Sequence, residues 1–524
     1  MRRMAANWTR RDFLVRSGVT AGALTLGGAA CSSSDDDGDD GAAGGEPTTE
    51  DTREDEMSAD GVVNLSDVPS EATIFGWISE VFEQGIRRPG YPADEWAEEW
   101  IADQFRSIGL DNVRLEPITV TRWEPTDWSL EVVSADGEST TIECFPVPFS
   151  APVDGLEVEL AAFDQANPGG VAGKASLFDV PLLRIPADLL ATSGSAPADT
   201  TGRIIDPDGT LVGAEQVVPF GAQFQAVLEP SIEAGAAAFV GTLTDYPGDS
   251  FNYFVPYDAI ARPIPGVWVN GSDGARLRDL LARGPVRLRL TVVSEREDVE
   301  SHNVVGELEG ADDETVIIGS HHDGPWASAV EDGSGISLVL AQATYWAAQP
   351  VERRPHRLVF LLQGGHMSGG AGLEGYIEAH RDELAEVVLE VHLEHAALEF
   401  AEGDEAGDVV PTGQPIPRWF FTSRIPPLEG AVAAALETEE LGRSMILAPD
   451  AFGEQPPTDG ALYHSEGVPV MNFLTAPFYL FDEMDTLDKI DRDNLEPLTR
   501  ATIRIVESTR DVSAADIRAA SVVA

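Results

Sequence analysis

The sequence predicts an α/β protein: a doubly wound, mostly parallel sheet with helices on both faces, interrupted by an inserted β-rich block. Two observations carry this. From about residue 300 the chain alternates short apolar runs with longer stretches of helical periodicity, the pattern of strands joined by crossover helices. Between residues 146 and 295 the texture changes, with many Pro and Gly residues and short β-like runs. The 524 residues leave room for two or three domains, and a hydrophobic content of 43 % is enough to build real cores.

In chain order, the first 31 residues read as an export signal and stand outside the fold. "TRRDFL" (Thr9–Leu14) has the twin-arginine pattern and precedes the apolar stretch "SGVTAGALTLGGAAC". That stretch is too short to span a membrane as a mature helix. Cys31 ends it after two alanines, as in a lipoprotein signal, although Gly28 departs from the usual Leu three residues earlier. Lipidation of Cys31 would leave Cys144 without an intramolecular partner. Residues 32–65 read as an acidic Gly- and Ser-rich tether that cannot bury enough surface to fold. "EATIFGWISEVFEQGI" and "ADEWAEEWIADQFRSIG" then carry helical spacing, with Gly109 as the stop of the second. "VRLEPITVTRW" and "WSLEVVS" alternate as strands.

Beyond the block 146–295 the expected strands are "HNVVGELEG", "ETVIIGSHH", "HRLVFLLQ", "EVVLEVHLEH", "RWFFTS" and "VPVMNFL". The expected helices are "GISLVLAQATYWAAQ", "GLEGYIEAHRDEL" and "NLEPLTRATIRIVEST". The net charge of −56 argues against nucleic acid and anionic membrane surfaces as partners, leaving a lipid anchor as the only expected membrane contact.

All nine histidines fall after residue 300. His321, His322 and Asp323 close one strand, Asp332 follows on the loop "EDGSG", His366 ends the next strand and Glu394 the one after it. In a doubly wound sheet the carboxyl ends of these strands lie side by side, so His, Asp, His and Glu converge as a set suited to zinc. The loop "GGHMSGG" lacks the Lys-Ser/Thr of a phosphate cradle. By strand alternation His392 shares a face with Glu394 while His395 points away, and ordinary packing is the expectation for His322, His392 and His395.

"IIGSHHDG", "EDGSGISLVLAQA", "FLLQGGHMSGGAG", "EVHLEHA", "EGVPVMNF" and "DTLDKIDRDNL" occur in order, and through them the chain resembles metallopeptidase family twenty-eight, the co-catalytic zinc exopeptidases. The resemblance covers roughly residues 66–145 and 295–515, and implies a zinc-peptidase-like domain of 66–145 and 296–524. The block 146–295 resembles a protease-associated domain in its Gly-Lys strand, its "GAAAFVG" strand and its "IPGVWVN" strand. The resemblance implies that His321 binds the first zinc, that Asp323 orients this region, that Asp332 bridges two zincs, and that Glu394 is an acidic ligand where the family usually has Asp.

It also exposes departures. The family's Glu-Glu pair, a general base followed by a ligand of the second zinc, falls on His366 and Met367. Thioether sulfur is a poor zinc ligand in an oxygen/nitrogen site. Gly460 stands where the second zinc's histidine belongs, and His464, four residues later, is the candidate replacement. His366 can serve as base, with an unperturbed pKa of about 6.5, or become a ligand. The expectation is at most one zinc per chain. Two functions follow: an exported, lipid-anchored, aminopeptidase-type hydrolase of peptides or related amides with an altered metal site, or a peptidase-fold binding lipoprotein without turnover. Amide-forming cyclase chemistry ranks behind both, since one-zinc relatives of that kind keep the opposite ligand set.

Overall fold

A computed structural model of the chain describes residues 57–521, apart from 135–136, 190–202, 222–223, 405–406, 452 and 454. The twin-arginine segment, Cys31 and the tether up to residue 56 lie outside the described residues. The tether was expected to run to residue 65, but structure begins earlier. Met57 bridges Asn64, and Ser58 N donates to Val63 O at 2.8 Å. Val63 is fully buried, so this segment is held by the core it docks on.

Helix α1, Glu71–Phe82, starts at Ser70, whose hydroxyl accepts from Thr73 N, one of the amides an isolated helix start leaves unsatisfied. Helix α2, Pro92–Ile108, ends at Gly109 with φ 95°, the left-handed stop only glycine adopts readily. The two strands expected next are one long strand, β1, Asp111–Val133, with a register shift between Pro125 and Asp127. The inserted block contributes β2 (Val153–Ala162), β3 (Ala175–Pro181), β4 (Ala238–Thr244) and β5 (Gly266–Asn270). Strand β6, Arg287–Leu308, runs antiparallel to β1 along most of its length. Together β1 and β6 form a ribbon that leads from the inserted block into the α/β part. Among the described residues the two regions therefore share one sheet of fifteen strands instead of meeting at a break in hydrogen bonding.

The α/β part follows with β7 (Thr315–His321), α3 (Gly335–Ala348), β8 (Arg357–Gln363), α4 (Ala371–Ala379), β9 (Val387–Leu393), β10 (Arg418–Thr422), β11 (Val470–Leu474) and α5 (Leu495–Glu507). Along the sheet these strands run β6, β8, β7, β9, β11, β10. The inner four, β8, β7, β9 and β11, are parallel, while β6 and β10 flank them antiparallel. Every residue of β7 and β9 is buried, which an inner strand covered on both faces requires. Val316 and Ile318 join the core that holds Leu338 and Leu340 of α3, whereas Ile317 joins the core that holds Leu373 and Tyr376 of α4. Each such side chain contributes roughly 1.5–3 kcal/mol of burial. Two small hairpins, Leu398–Glu402 with Val409–Pro415 and Arg184–Pro186 with Glu215–Val217, stand apart from the large sheet. No helix among the described residues is long and apolar enough to cross a membrane.

This topology fixes where chemistry can occur. His321 pairs with Gln363 at the carboxyl ends of β7 and β8, and Leu393 pairs with Phe473 at those of β9 and β11. The loops that leave β7, β8 and β9 carry His322, Glu331, His366, Glu394 and His395 to one edge of the sheet, and the segment before helix Ala461–Ser465 brings Asp459 to the same place.

Candidate metal centre

The glycine-rich loop after β8 is built to bring its backbone close to its neighbours. Gly365 has φ 71°, and a Cβ there would sit 2.7 Å from Val120 Cγ1. A Cβ at Gly372 would overlap Gly364 O. Asp323 pins the loop: its carboxylate accepts from His366 N at 2.9 Å and from Met367 N at 2.7 Å. Asp323 thus positions the loop through backbone amides, and it is the Asp323 carbonyl that accepts from His321 Nδ1, at 2.9 Å. A carbonyl only accepts, so His321 carries its proton on Nδ1 and turns the Nε2 lone pair inward. Burial holds its pKa well below the usual histidine range, with nearby His366 adding to the effect. His321 is therefore neutral, the form a metal ligand needs.

His321 Nε2 faces Glu331 Oε1 at 3.6 Å, and His366 Nε2 faces the same oxygen at 3.7 Å. The two imidazoles stack at 4.0 Å. His366 Nδ1 donates to the Asp459 carboxylate at 2.9 Å, the carboxylate–histidine pairing that commonly orients metal-binding imidazoles. Glu331 was not singled out from the sequence; Asp332 was. Asp332 stands beside it, with Oδ2 3.9 Å from His321 Nε2, but its carboxylate is taken up by the loop: it accepts from Ser320 Oγ, from Gly335 N at 2.9 Å and from His395 N at 3.3 Å. Burial raises Asp332 to about 7. Glu331 takes the inward place because Asp485 accepts from the amides of Val330 and Glu331, both at 2.8 Å, and fixes that backbone. Spacing alone cannot choose between adjacent acids.

Glu394 lies one residue beyond the end of β9, and its Oε1 lies 2.9 Å from His392 Nε2. Together with Asp459 these form a second buried group whose donor atoms lie within 4.8 Å of one another, as do those of His321, Glu331 and His366. His395 does not point away. Strand alternation stops at Leu393, and His395 has φ 58°, which swings its ring back to the cluster. Its Nδ1 donates to Thr475 O at 2.8 Å, and its Nε2 lies 2.5 Å from Glu331 Oε2. Burial opposes a charge on His395, but Glu331 beside it raises the ring to about 10. His322 is a structural ion-pair partner, with Nδ1 2.9 Å from Asp94 Oδ1 and Nε2 2.9 Å from His302 O.

The remaining expected ligand is not brought in. His464 sits partly buried on the short helix Ala461–Ser465, where burial lowers its pKa, and it joins none of the metal-competent groups among the described residues. Nor is there room for a side chain at 460, since a Cβ there would overlap the Asn472 amide. Asn472 fills that place, accepting from Thr458 Oγ1 and donating to Glu390 Oε2, each at 2.7 Å. Met367 is fully buried in the apolar core.

The donor set tests well for a metal. His321 Nε2 is buried without a hydrogen-bond partner, while Glu331 Oε2 with His395 Nε2, at 2.5 Å, and Glu394 Oε1 with His392 Nε2, at 2.9 Å, approach as buried charged pairs. Nitrogen and oxygen donors gathered in this way are of the kind a zinc ion takes.

The sequence pattern of peptidase family M28 matches residues 303–506, the stretch that contributes all of these side chains. The chain is also similar to curated peptidases. Over 242 residues the chain is 25 % identical to Leucine aminopeptidase 2 of Arthroderma otae, covering 46 % of this chain and 39 % of that protein. Over 304 residues it is 22 % identical to Carboxypeptidase Q of Xenopus laevis, covering 55 % of this chain and 58 % of that protein. The chain thus spans less than two thirds of either relative. Among solved structures, the Peptidase M28 precursor from Shewanella amazonensis superposes with a TM-score of 0.65 at 20 % identity, covering 84 % of this chain and 94 % of that one. BSAP, a zinc aminopeptidase from Bacillus subtilis, superposes with a TM-score of 0.59 at 17 % identity, covering 86 % and 98 %. At these identities the likeness is one of fold: a large, mostly parallel mixed sheet of the M28 zinc peptidases. The family implies zinc, and the cluster offers the nitrogen and oxygen donors zinc takes.

Proposed function

We propose that the protein is a zinc-dependent hydrolase of peptides or related amides, with His321, Glu331 and His366 as the protein ligands of its primary metal. The observation that carries this is the convergence of His321 Nε2, Glu331 Oε1 and His366 Nε2 in one buried group. Three protein ligands leave a position open, as catalytic zinc sites require. Bound there, zinc supplies a Lewis acid that polarises the scissile carbonyl. The chain's own groups do the rest. Asp323 holds the loop that presents His366, Asp459 fixes the His366 ring with its proton on Nδ1, and Asp332 braces the neighbouring turn. The alternative role for His366 excludes the first: with Nε2 free of metal, the same imidazole would stand in for the family's Glu as the base.

The experiment is His366→Ala with two readouts, zinc content and turnover of aminoacyl-anilide substrates. Loss of both supports the ligand role. Retained zinc with lost turnover makes His366 the base. Unchanged turnover would sink the assignment.

One observation favours a second reading, a binding protein without turnover: the cluster is closed. Tyr257 of the inserted block stacks on His366 with ring centres 5.5 Å apart, and its carbonyl accepts from Gly369 N at 3.0 Å. On the hydrolase reading, the block 146–295 is a protease-associated-type cover that must shift to admit substrate. Absence of turnover from zinc-loaded Tyr257→Ala would favour the binding reading.

Export by the twin-arginine route and anchoring through Cys31 complete the proposal, supported by "TRRDFL" and the alanines before Cys31. Replacing Arg10 and Arg11 with Lys is expected to retain the protein in the cytoplasm. Cys31→Ser is expected to release it from the membrane fraction.

A further inference from the structure

We propose that His392, Glu394 and Asp459 hold a second divalent ion, zinc or a similar first-row metal, beside the position formed by His321, Glu331 and His366. The proposal rests on the zinc reading above and extends it. The two ligands expected for a second zinc are absent, one replaced by Met367 and the other by Gly460. The structure offers a different set from neighbouring elements: one residue from within β9, one just beyond its end, and one from the loop before helix Ala461–Ser465.

Three observations carry it. First, the side chains are deeply buried, at 0 % exposure for His392, 3 % for Glu394 and 1 % for Asp459. Second, His392 Nε2 and Glu394 Oε1 lie 2.9 Å apart, a separation that lets one ion take both atoms. Donors on one zinc with bonds of about 2.0–2.1 Å sit roughly 3 Å apart. Third, carboxylates stand on both sides of His392: Glu390 Oε1 lies 3.3 Å from Nδ1 and Glu394 Oε1 2.9 Å from Nε2, and an Asp459 oxygen comes within 4.8 Å of the His392 and Glu394 donor atoms while the same carboxylate holds His366 Nδ1. Such a gathering of buried carboxylate oxygens around an imidazole suits a divalent cation. Glu390, steadied by Asn472 Nδ2 at 2.7 Å, is placed to orient His392 from its far side, as carboxylates behind metal-binding histidines do.

The two positions are linked. Asp459 reaches His366 Nδ1 with both oxygens at 2.9 Å, so a ligand of one ion orients a ligand of the other. The space left by the missing histidine at 460 is used by Asn472, which supports Glu390 and so His392. The second metal position has thus moved from the glycine-rich loop to β9 and the loop carrying Asp459.

The test is metal stoichiometry. The purified full chain is stripped with a chelator, reloaded with excess Zn²⁺, desalted and analysed by plasma mass spectrometry, alongside His392→Gln and His321→Gln. The expected result is two zincs in the wild type and one in each variant. One zinc in the wild type, lost in His321→Gln and kept in His392→Gln, overturns this proposal and leaves the primary site standing. The converse pattern supports this site and overturns the primary one. Two zincs unchanged by His392→Gln overturn it, and none in the wild type overturns both. Should His392→Gln fail to fold by circular dichroism, anomalous scattering at the zinc edge from wild-type crystals decides. A peak within bonding distance of His392 Nε2 and Asp459 supports the site, and its absence there refutes it.

Discussion

At the scale of single residues, the adjacent acids Glu331 and Asp332 do different work because one points into the cluster and the other into its frame. Glu331→Gln is expected to lower zinc affinity more than 100-fold. Asp332→Asn, which touches hydrogen bonds behind the ligands, is expected to lower it about 10–100-fold. Competition titration against a chromophoric chelator separates the two. His322 gives a pH signature. Both its ring nitrogens meet oxygen acceptors, so it is held as the imidazolium and raised to about 9, burial opposing and Asp94 prevailing. A folded pKa above the unfolded value of about 6.5 means that its stabilisation is complete below pH 6.5 and is lost as pH rises through about 9. Unfolding free energy of the metal-stripped protein should fall across that window. Urea melts of Asp94→Asn should show a flatter profile, and an unchanged slope would show that the pair contributes nothing.

At the scale of elements, the loop between β8 and α4 and the cover from the inserted block decide access. Gly372 has no room for a side chain against Gly364 O, so Gly372→Ala should destabilise the protein by about 1–3 kcal/mol, read from denaturant midpoints. Tyr257 is the ring between His366 and Phe481, 5.2 Å from the latter. Removing it in Tyr257→Ala should speed chelator stripping of zinc several-fold, while the equilibrium zinc content stays unchanged. A stripping rate equal to wild type would mean that this segment does not control entry.

At the scale of the whole molecule, the net charge of −56 makes the compact state self-repelling. Screening reaches about 3 Å at 1 M salt, so thermal unfolding should shift upward between 0.05 M and 1 M NaCl. A midpoint that falls with salt would show that local ion pairs outweigh the overall repulsion. The same scale explains why the inserted block is not hung on flexible joints. The β1–β6 ribbon runs through both regions, so the position of Tyr257 over the candidate ligands is tied to the sheet that carries them.

The strands and helices of the α/β region were legible in the sequence, as was the gathering of His321, His366 and Glu394 at one sheet edge. Local periodicity, turn glycines and apolar runs act over a few residues and leave a direct trace. The long β1 and β6 strands were read only in pieces, because a bulge near Pro125 breaks the alternation without breaking the pairing. What tertiary structure decided was direction and distance. It chose Glu331 over Asp332, turned His395 inward through one left-handed residue, kept His464 out, and brought Asp459 against His366 and beside His392. These outcomes depend on contacts between residues far apart in the chain, such as Asp485 with Glu331 and Asn472 with Glu390. The physical reason is that a sequence states which donor types are available near a strand end, while the orientation of each lone pair is set by partners that only the folded chain supplies.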